Sequence, residues 1–115
     1  MSAKRKAQIT FTITMDENNI PEAIEWQATD SADGGSCKAI MLAMWDEKAA
    51  STMRIDLWTK DMLVDEMKAF FHQNMLTMSD TLNRATGEEK IVGDMRDFCA
   101  YFAQKMQLAD SQAPE

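Results

Sequence analysis

His72 is the one histidine in 115 residues, which excludes a catalytic triad and a multi-histidine metal centre. It follows Phe71 in a helical pattern. A general base there would need a positioned substrate and partner groups, so a surface or boundary histidine is expected. Arg54 and Asp56 stand two apart on one strand face and read as exposed, mutually compensating charges. Asp16-Glu17-Asn18-Asn19 and Asp30-Ser31-Ala32-Asp33 faintly resemble cation loops. Neither has the ligand run and closing glutamate that calcium requires, and turn chemistry accounts for both. Cys37 and Cys99 lack metal-ligand spacing and are too few for a disulfide framework; two buried free thiols are expected. Eleven methionines raise thioether copper binding. Met41, Met44, Met67, Met75, Met78, Met95 and Met106 follow apolar stripes instead, so they read as core filling, although thioether surfaces also adapt to several partners. There is no G-x-x-x-x-G-K, G-x-G-x-x-G or G-x-S-x-G element. These residues predict a non-enzyme with no cofactor and no metal.

The chain length suits one domain with a modest core. A formal charge of −7 comes from 12 basic and 19 acidic residues. The excess lies mainly in residues 61–115, with five basic and ten acidic groups. Such a field repels phosphate backbones, so no nucleic-acid partner is expected, while a basic protein surface is compatible with it. No run approaches 18 consecutive apolar residues, so no membrane insertion is expected. Lys4-Arg5-Lys6 is followed by the alternating Gln8–Met15, not by an apolar run and a small-residue cleavage site. A cytoplasmic location is the expectation.

Hydrophobic periodicity sets the elements. Ile9, Phe11, Ile13 and Met15 alternate with Gln8, Thr10, Thr12 and Thr14, a strand over 8–15. Asp16–Asn19 turns, Pro21 begins the next strand, and Ile24, Trp26 and Ala28 alternate over 22–29. Asp30–Ser36, small and polar with Gly34-Gly35, reads as a loop. A third strand over 37–46 competes with a short helix, since Ala and Met favour helix. The hairpin-length connection 47–50 to the strand at Ser51 favours strand. Met53, Ile55 and Leu57 alternate with Arg54, Asp56 and Trp58; Thr59-Lys60-Asp61 then offers capping residues. Helices follow over 64–85, with Val64, Met67, Phe71, Met75, Met78, Leu82 and Ala85 as the core stripe, and over 88–107, with Ile91, Met95, Phe98, Phe102 and Met106 flanked by Val92 and Cys99. Gly87 suits the end of the first. The prediction is an α+β fold (ββββαα): a four-stranded antiparallel meander followed by two C-terminal helices packed on one face. It comprises a basic tail 1–6, one domain 7–107 and a polar tail 108–115.

The third strand is apolar on both faces, and Trp58 joins the otherwise polar face of the fourth. Trp58 then lies beside either Ile40, Leu42 and Met44 or the small Ala39–Ala43 set; the register across the hairpin is open at this point. Either way an apolar patch is expected on the outer sheet face, the kind of surface that marks a protein contact. A tail or loop folded over it, or a ligand pocket, are the competing readings. The candidate partner-binding residues are Trp58 as anchor with Ile40, Leu42 and Met44 around it, facing another protein or a second copy in a homodimer.

Three segments, D-E-N-N-x-P at 16–21, I-x-W-x-A-T-D at 24–30 and R-I-D-L-W-T-K-D-M-x-V-D-E-M at 54–67, resemble the gliding motility-associated GldC family of the Bacteroidetes. The similarity spans most of residues 6–106. Leu63 departs from it, since relatives often carry proline there, a residue suited to a helix's first turn. The resemblance implies a small soluble protein of the gliding machinery, whose genes commonly accompany those of a motility lipoprotein, with no assigned enzymatic activity. The expected function is a cytoplasmic accessory or adaptor protein that binds a component of that machinery. A small acidic secretion-type chaperone is the alternative, and a pocket holding Arg54, Asp56 or His72 a third.

Overall fold

Strict alternation in the first third of the chain produces the first sheet. The computed structural model describes residues 4–30 and 34–108. Part of the expected basic tail, the centre of the expected 30–36 loop and nearly all of the polar tail lie outside the described residues. Strands β1 (Ile9–Met15) and β2 (Pro21–Ala28) pair antiparallel, with Phe11 opposite Trp26 and Ile13 opposite Ile24. The register slips between Thr14 and Met15, which faces Pro21. Asp16 closes the turn: its Oδ1 accepts from the Asn18 and Ile20 amides at 2.7 and 3.0 Å. Asn19 takes the left-handed conformation with φ 62°, which asparagine tolerates.

The glycine-containing stretch is a strand, not a loop. β3 (Gly34–Cys37) pairs antiparallel with β2, Gly35 opposite Trp26 and Cys37 opposite Ile24. A Cβ on Gly34 would stand 3.0 Å from the Trp26 carbonyl oxygen, so glycine is what lets this strand approach.

The chain bends at Lys38 and continues as β4 (Ala39–Asp46), paired antiparallel with β5 (Ser51–Trp58) in a second sheet. The expected single four-stranded meander is therefore corrected, among the described residues, to five strands in a three-stranded and a two-stranded sheet. The cause lies at the bend. Residues 34–37 are committed to β2, whereas the Lys38 carbonyl already accepts from the Thr59 amide at 2.8 Å, on the β5 side. The Lys60 amide then donates to the Pro21 carbonyl at 2.9 Å and ties the end of β5 to the start of β2.

Between β4 and β5, Asp46 Oδ2 accepts from the Ala49 amide at 2.8 Å. Ala50 takes φ 51°, a conformation that crowds its Cβ. Ala50→Gly is expected to stabilise the protein by about 1 kcal/mol, read as a rise in the denaturation midpoint. A fall would contradict the strain at this turn.

Helix α1 (Val64–Thr86) starts at Leu63, whose amide donates to Glu66 Oε1 at 2.9 Å. Asp65 and Glu66 place negative charge at the positive end of the helix dipole. Thr59 and Asp61 do not cap it. The Thr59 hydroxyl donates to the Asp61 carboxylate in the preceding turn, and the Asp61 pKa is lowered chiefly by that bond. Gly87, at φ 71°, ends α1 with its amide on the Asn83 carbonyl. Helix α2 (Glu89–Lys105) returns antiparallel along it.

The residues buried on the helices agree with the expected stripes only at the flank of the second, at Val92 and Cys99. The buried residues are His72 and Ser79 on α1 and Val92 and Cys99 on α2. His72 stacks on Phe102 with centroids 6.3 Å apart and planes 8° from parallel. Arg96 and Asp80 close one side with a 2.7 Å ion pair. The expected core residues Val64, Phe71, Met78, Ile91 and Phe98 remain exposed. The chain divides into two compact units, Met1–Met62 and Leu63–Glu115. Among the described residues, no helix is long and apolar enough to cross a membrane.

Candidate functional site

Cross-strand pairing in the β4–β5 ribbon settles the register that the sequence leaves open. Ile40 faces Leu57, Leu42 faces Ile55 and Met44 faces Met53. Alternation places all six side chains on one face. The opposite face carries Ala39 across from Trp58, Met41 from Asp56, Ala43 from Arg54 and Trp45 from Thr52. Ile40, Leu42 and Met44 thus share a face, while Trp58 is on the other side of the ribbon beside the small alanine set. The four expected partner-binding residues are not one patch.

The apolar face is graded along its length. Ile40 is buried and Leu42 and Leu57 are half-buried, whereas Met44 and Met53, next to the turn, are 46% and 52% exposed. Ile55 is exposed as well. Cross-strand apolar pairs stabilise the ribbon, but three of these six side chains keep much of their surface in water. On the reverse face Arg54 Nη2 donates to Asp56 Oδ1 at 2.7 Å, and Nε to Oδ2 at 3.3 Å. The Asp56 carboxylate raises the Arg54 pKa by hydrogen bonding and charge. Both groups are spent on each other in open solvent, as the sequence suggests. Trp45 and Trp58 flank this pair and are exposed.

The other candidates divide differently. His72, expected at the surface or a boundary, is buried, and its Nδ1 has no hydrogen-bond partner; its ring stacks on Phe102. Both cysteines are free, Cys37 half-buried and Cys99 buried. Burial pushes the Cys99 thiol up, away from the thiolate that nucleophilic chemistry needs. Asp16 is a turn residue. Its pKa is lowered first by the Ile20 amide and then by Lys60, whose Nζ lies 3.0 Å from Oδ2. Asp30 pairs with Arg5 at 2.6 Å, and residues 31–33 of that second loop lie outside the described residues. Among the described residues, no group of three or more His, Cys, Asp and Glu side chains could hold a metal ion. The methionines fill the core less than their spacing suggests, since Met44, Met53 and Met78 are about half exposed. A polar groove of about 480 Å³ runs along the three-stranded sheet past Thr10, Thr12, Glu25 and Gln27; these are exposed strand side chains.

Among the described residues, the β4–β5 ribbon carries an apolar face that is partly exposed, backed by the Arg54–Asp56 pair. Sequence reasoning missed Met53 and Ile55 as members of the exposed apolar face. Their alternation with Arg54 and Asp56 signals which side they occupy, but not that this side stays open.

The sequence model of the family described as gliding motility-associated protein GldC-like matches residues 21–108. The match includes both sheets beyond β1 and both helices. No curated protein matches the chain, and no solved structure does. The family is associated with motility and is not a known enzyme family. A match across that much of the chain, together with the three motifs at 16–30 and 54–67, places it plainly: this protein belongs to the GldC-like family of gliding motility-associated proteins.

Proposed function

We propose that this protein is a non-enzymatic, cytoplasmic adaptor of the gliding machinery that binds a protein component through the apolar face of the β4–β5 ribbon. The observation that carries the reading is the register: Ile40, Leu42, Met44, Met53, Ile55 and Leu57 share one face that opens to solvent toward the turn. Contiguous exposed apolar surface of this kind supports protein association. The chain's charge of −7 favours a partner whose contact region is basic around an apolar centre, because complementary fields speed encounter and suppress wrong partners. Trp58 is outside this face and is not its anchor.

The test is complementation of motility in a gliding host that lacks the protein. Met44→Glu and Ile55→Glu substitute exposed positions, so both variants should accumulate and remain folded. Each is expected to weaken binding of the machinery component by about thirtyfold, the effect of losing one buried apolar anchor worth about 2 kcal/mol, and to impair spreading. Trp58→Glu, on the reverse face, should restore spreading. Full restoration by Met44→Glu and Ile55→Glu would refute the assignment.

A second reading, the acidic secretion-type chaperone, is favoured by the topology alone. Among the described residues β4 and β5 form a two-stranded sheet, and an extended client segment could add a strand to its edge. Binding of unfolded client peptides, and not of the folded component, would select this reading.

A further inference from the structure

Helix α2 carries a second exposed stripe that is complementary to itself. Asp94, Phe98, Tyr101 and Lys105 follow at steps of four, three and four residues, so they line one side of the helix. Phe98 and Tyr101 are 51% and 52% exposed, and Asp94 and Lys105 are exposed at the two ends. The stripe is already ordered within the chain. The Phe98 and Tyr101 rings lie 5.9 Å apart, and Lys105 Nζ sits 5.7 Å from the Tyr101 ring centre. Beside it, Met75, Met95, Phe98 and Cys99 line an apolar groove of about 270 Å³, with Asp94 at its rim.

Reversing this stripe about its own midpoint, between Cys99 and Ala100, exchanges Asp94 with Lys105 and Phe98 with Tyr101. The charges are of opposite sign and about 16 Å apart along the axis at 1.5 Å per residue. An isologous contact about a two-fold axis requires this kind of self-complementarity. We propose that the protein forms a homodimer in which α2 lies antiparallel to α2 of a second copy. Asp94 then faces Lys105 of that copy at both ends, and Phe98 packs against its Tyr101 at the centre.

Area and charge both select a second copy as the occupant. Ile91, three residues before Asp94, extends the stripe and is exposed, as are Phe71 and Met78 on α1. Covering half-exposed side chains of this size removes on the order of 500 Å² from each copy and 1,000 Å² in all, about the smallest area of a specific interface. Two helical hairpins joined in this way form a four-helix bundle, which encloses apolar surface that a two-helix hairpin leaves open. The stripe has one charge of each sign, so it matches itself although the whole chain is acidic. A dimer would also present two ribbon faces and raise the avidity for a repeated partner.

The experiment is solution mass by light scattering at high micromolar concentration and physiological salt, with far-UV circular dichroism on each variant. Wild type should be a dimer. Asp94→Lys creates two like-charge contacts with Lys105 of the second copy and should weaken self-association at least roughly tenfold; Lys105→Asp should do the same. The double variant Asp94→Lys with Lys105→Asp restores both pairs and should recover the dimer. Met44→Glu, on the ribbon, should leave the mass unchanged. A monomeric wild type would overturn the proposal. So would a dimer that the single charge reversals leave as tight as before, or a double variant weaker than both singles.

Discussion

Ile24→Ala is expected to destabilise the protein by about 3 kcal/mol, in the usual range for truncating a fully buried isoleucine. Ile24 is 1% exposed in the middle strand of the three-stranded sheet, between Ile13 on β1 and Cys37 on β3. Removing three carbons there loses their transfer free energy and leaves a cavity that hydrogen-bonded strands on either side cannot close. The neighbouring Gly35 and Cys37 offer little volume to collapse inward. Urea denaturation should show a lower midpoint, by an amount comparable with a large share of a small domain's stability. A change below about 0.5 kcal/mol, ordinary for a surface position, would contradict the burial of this face.

Ser79→Leu is expected to be comparably disruptive for the opposite reason. Ser79 is fully buried on α1, two turns beyond His72, and its hydroxyl donates to the Leu76 carbonyl at 2.6 Å. It satisfies its own polar group and presents little bulk to the seam. A leucine there has no room and must push the helices apart or leave its rotamer well, at a cost of about 1–3 kcal/mol. The seam residues Val92 and Cys99 and the His72–Phe102 stack would be displaced with it. Ser79→Ala should be mild by comparison, because it keeps the size and removes only a locally satisfied hydroxyl. Equal midpoints for the leucine variant and wild type would show that the helices do not meet at this face.

What was legible in the sequence followed from periodicity. The strand over 9–15 alternates without exception, and Pro21 marks where the next begins, so β1 and β2 emerge within a residue or two of their expected bounds. The helices do as well, with Gly87 ending α1. β3 was not legible, because Gly34-Gly35-Ser36 has the composition of a turn. It is a strand because the backbone of β2 offers a ladder and Gly34 clears the Trp26 carbonyl. On the helices the reading held only in part. Val92 and Cys99, expected beside the second stripe, are buried, and so are His72 and Ser79, whose polar side chains a hydropathy pattern passes over. Phe71, Met78, Ile91 and Phe98, which the pattern picks out, stay exposed. Of the expected site, Ile40, Leu42 and Met44 stay together, but Trp58 parts from them. Pairing Ala39 with Trp58 is a matter of register, and a one-residue slip would have reversed it.

The most direct test of the adaptor reading is site-specific photocrosslinking in gliding cells, with a photoreactive aromatic residue in place of Met44 or, in parallel, of Trp58. The two positions lie on opposite faces of the same ribbon, so each controls for expression and for collisions with abundant proteins. The account predicts one discrete adduct with a protein of the gliding machinery from position 44, lost when Ile55→Glu is added, and none from position 58. An adduct from position 58 alone, or the same adduct from both, would contradict it.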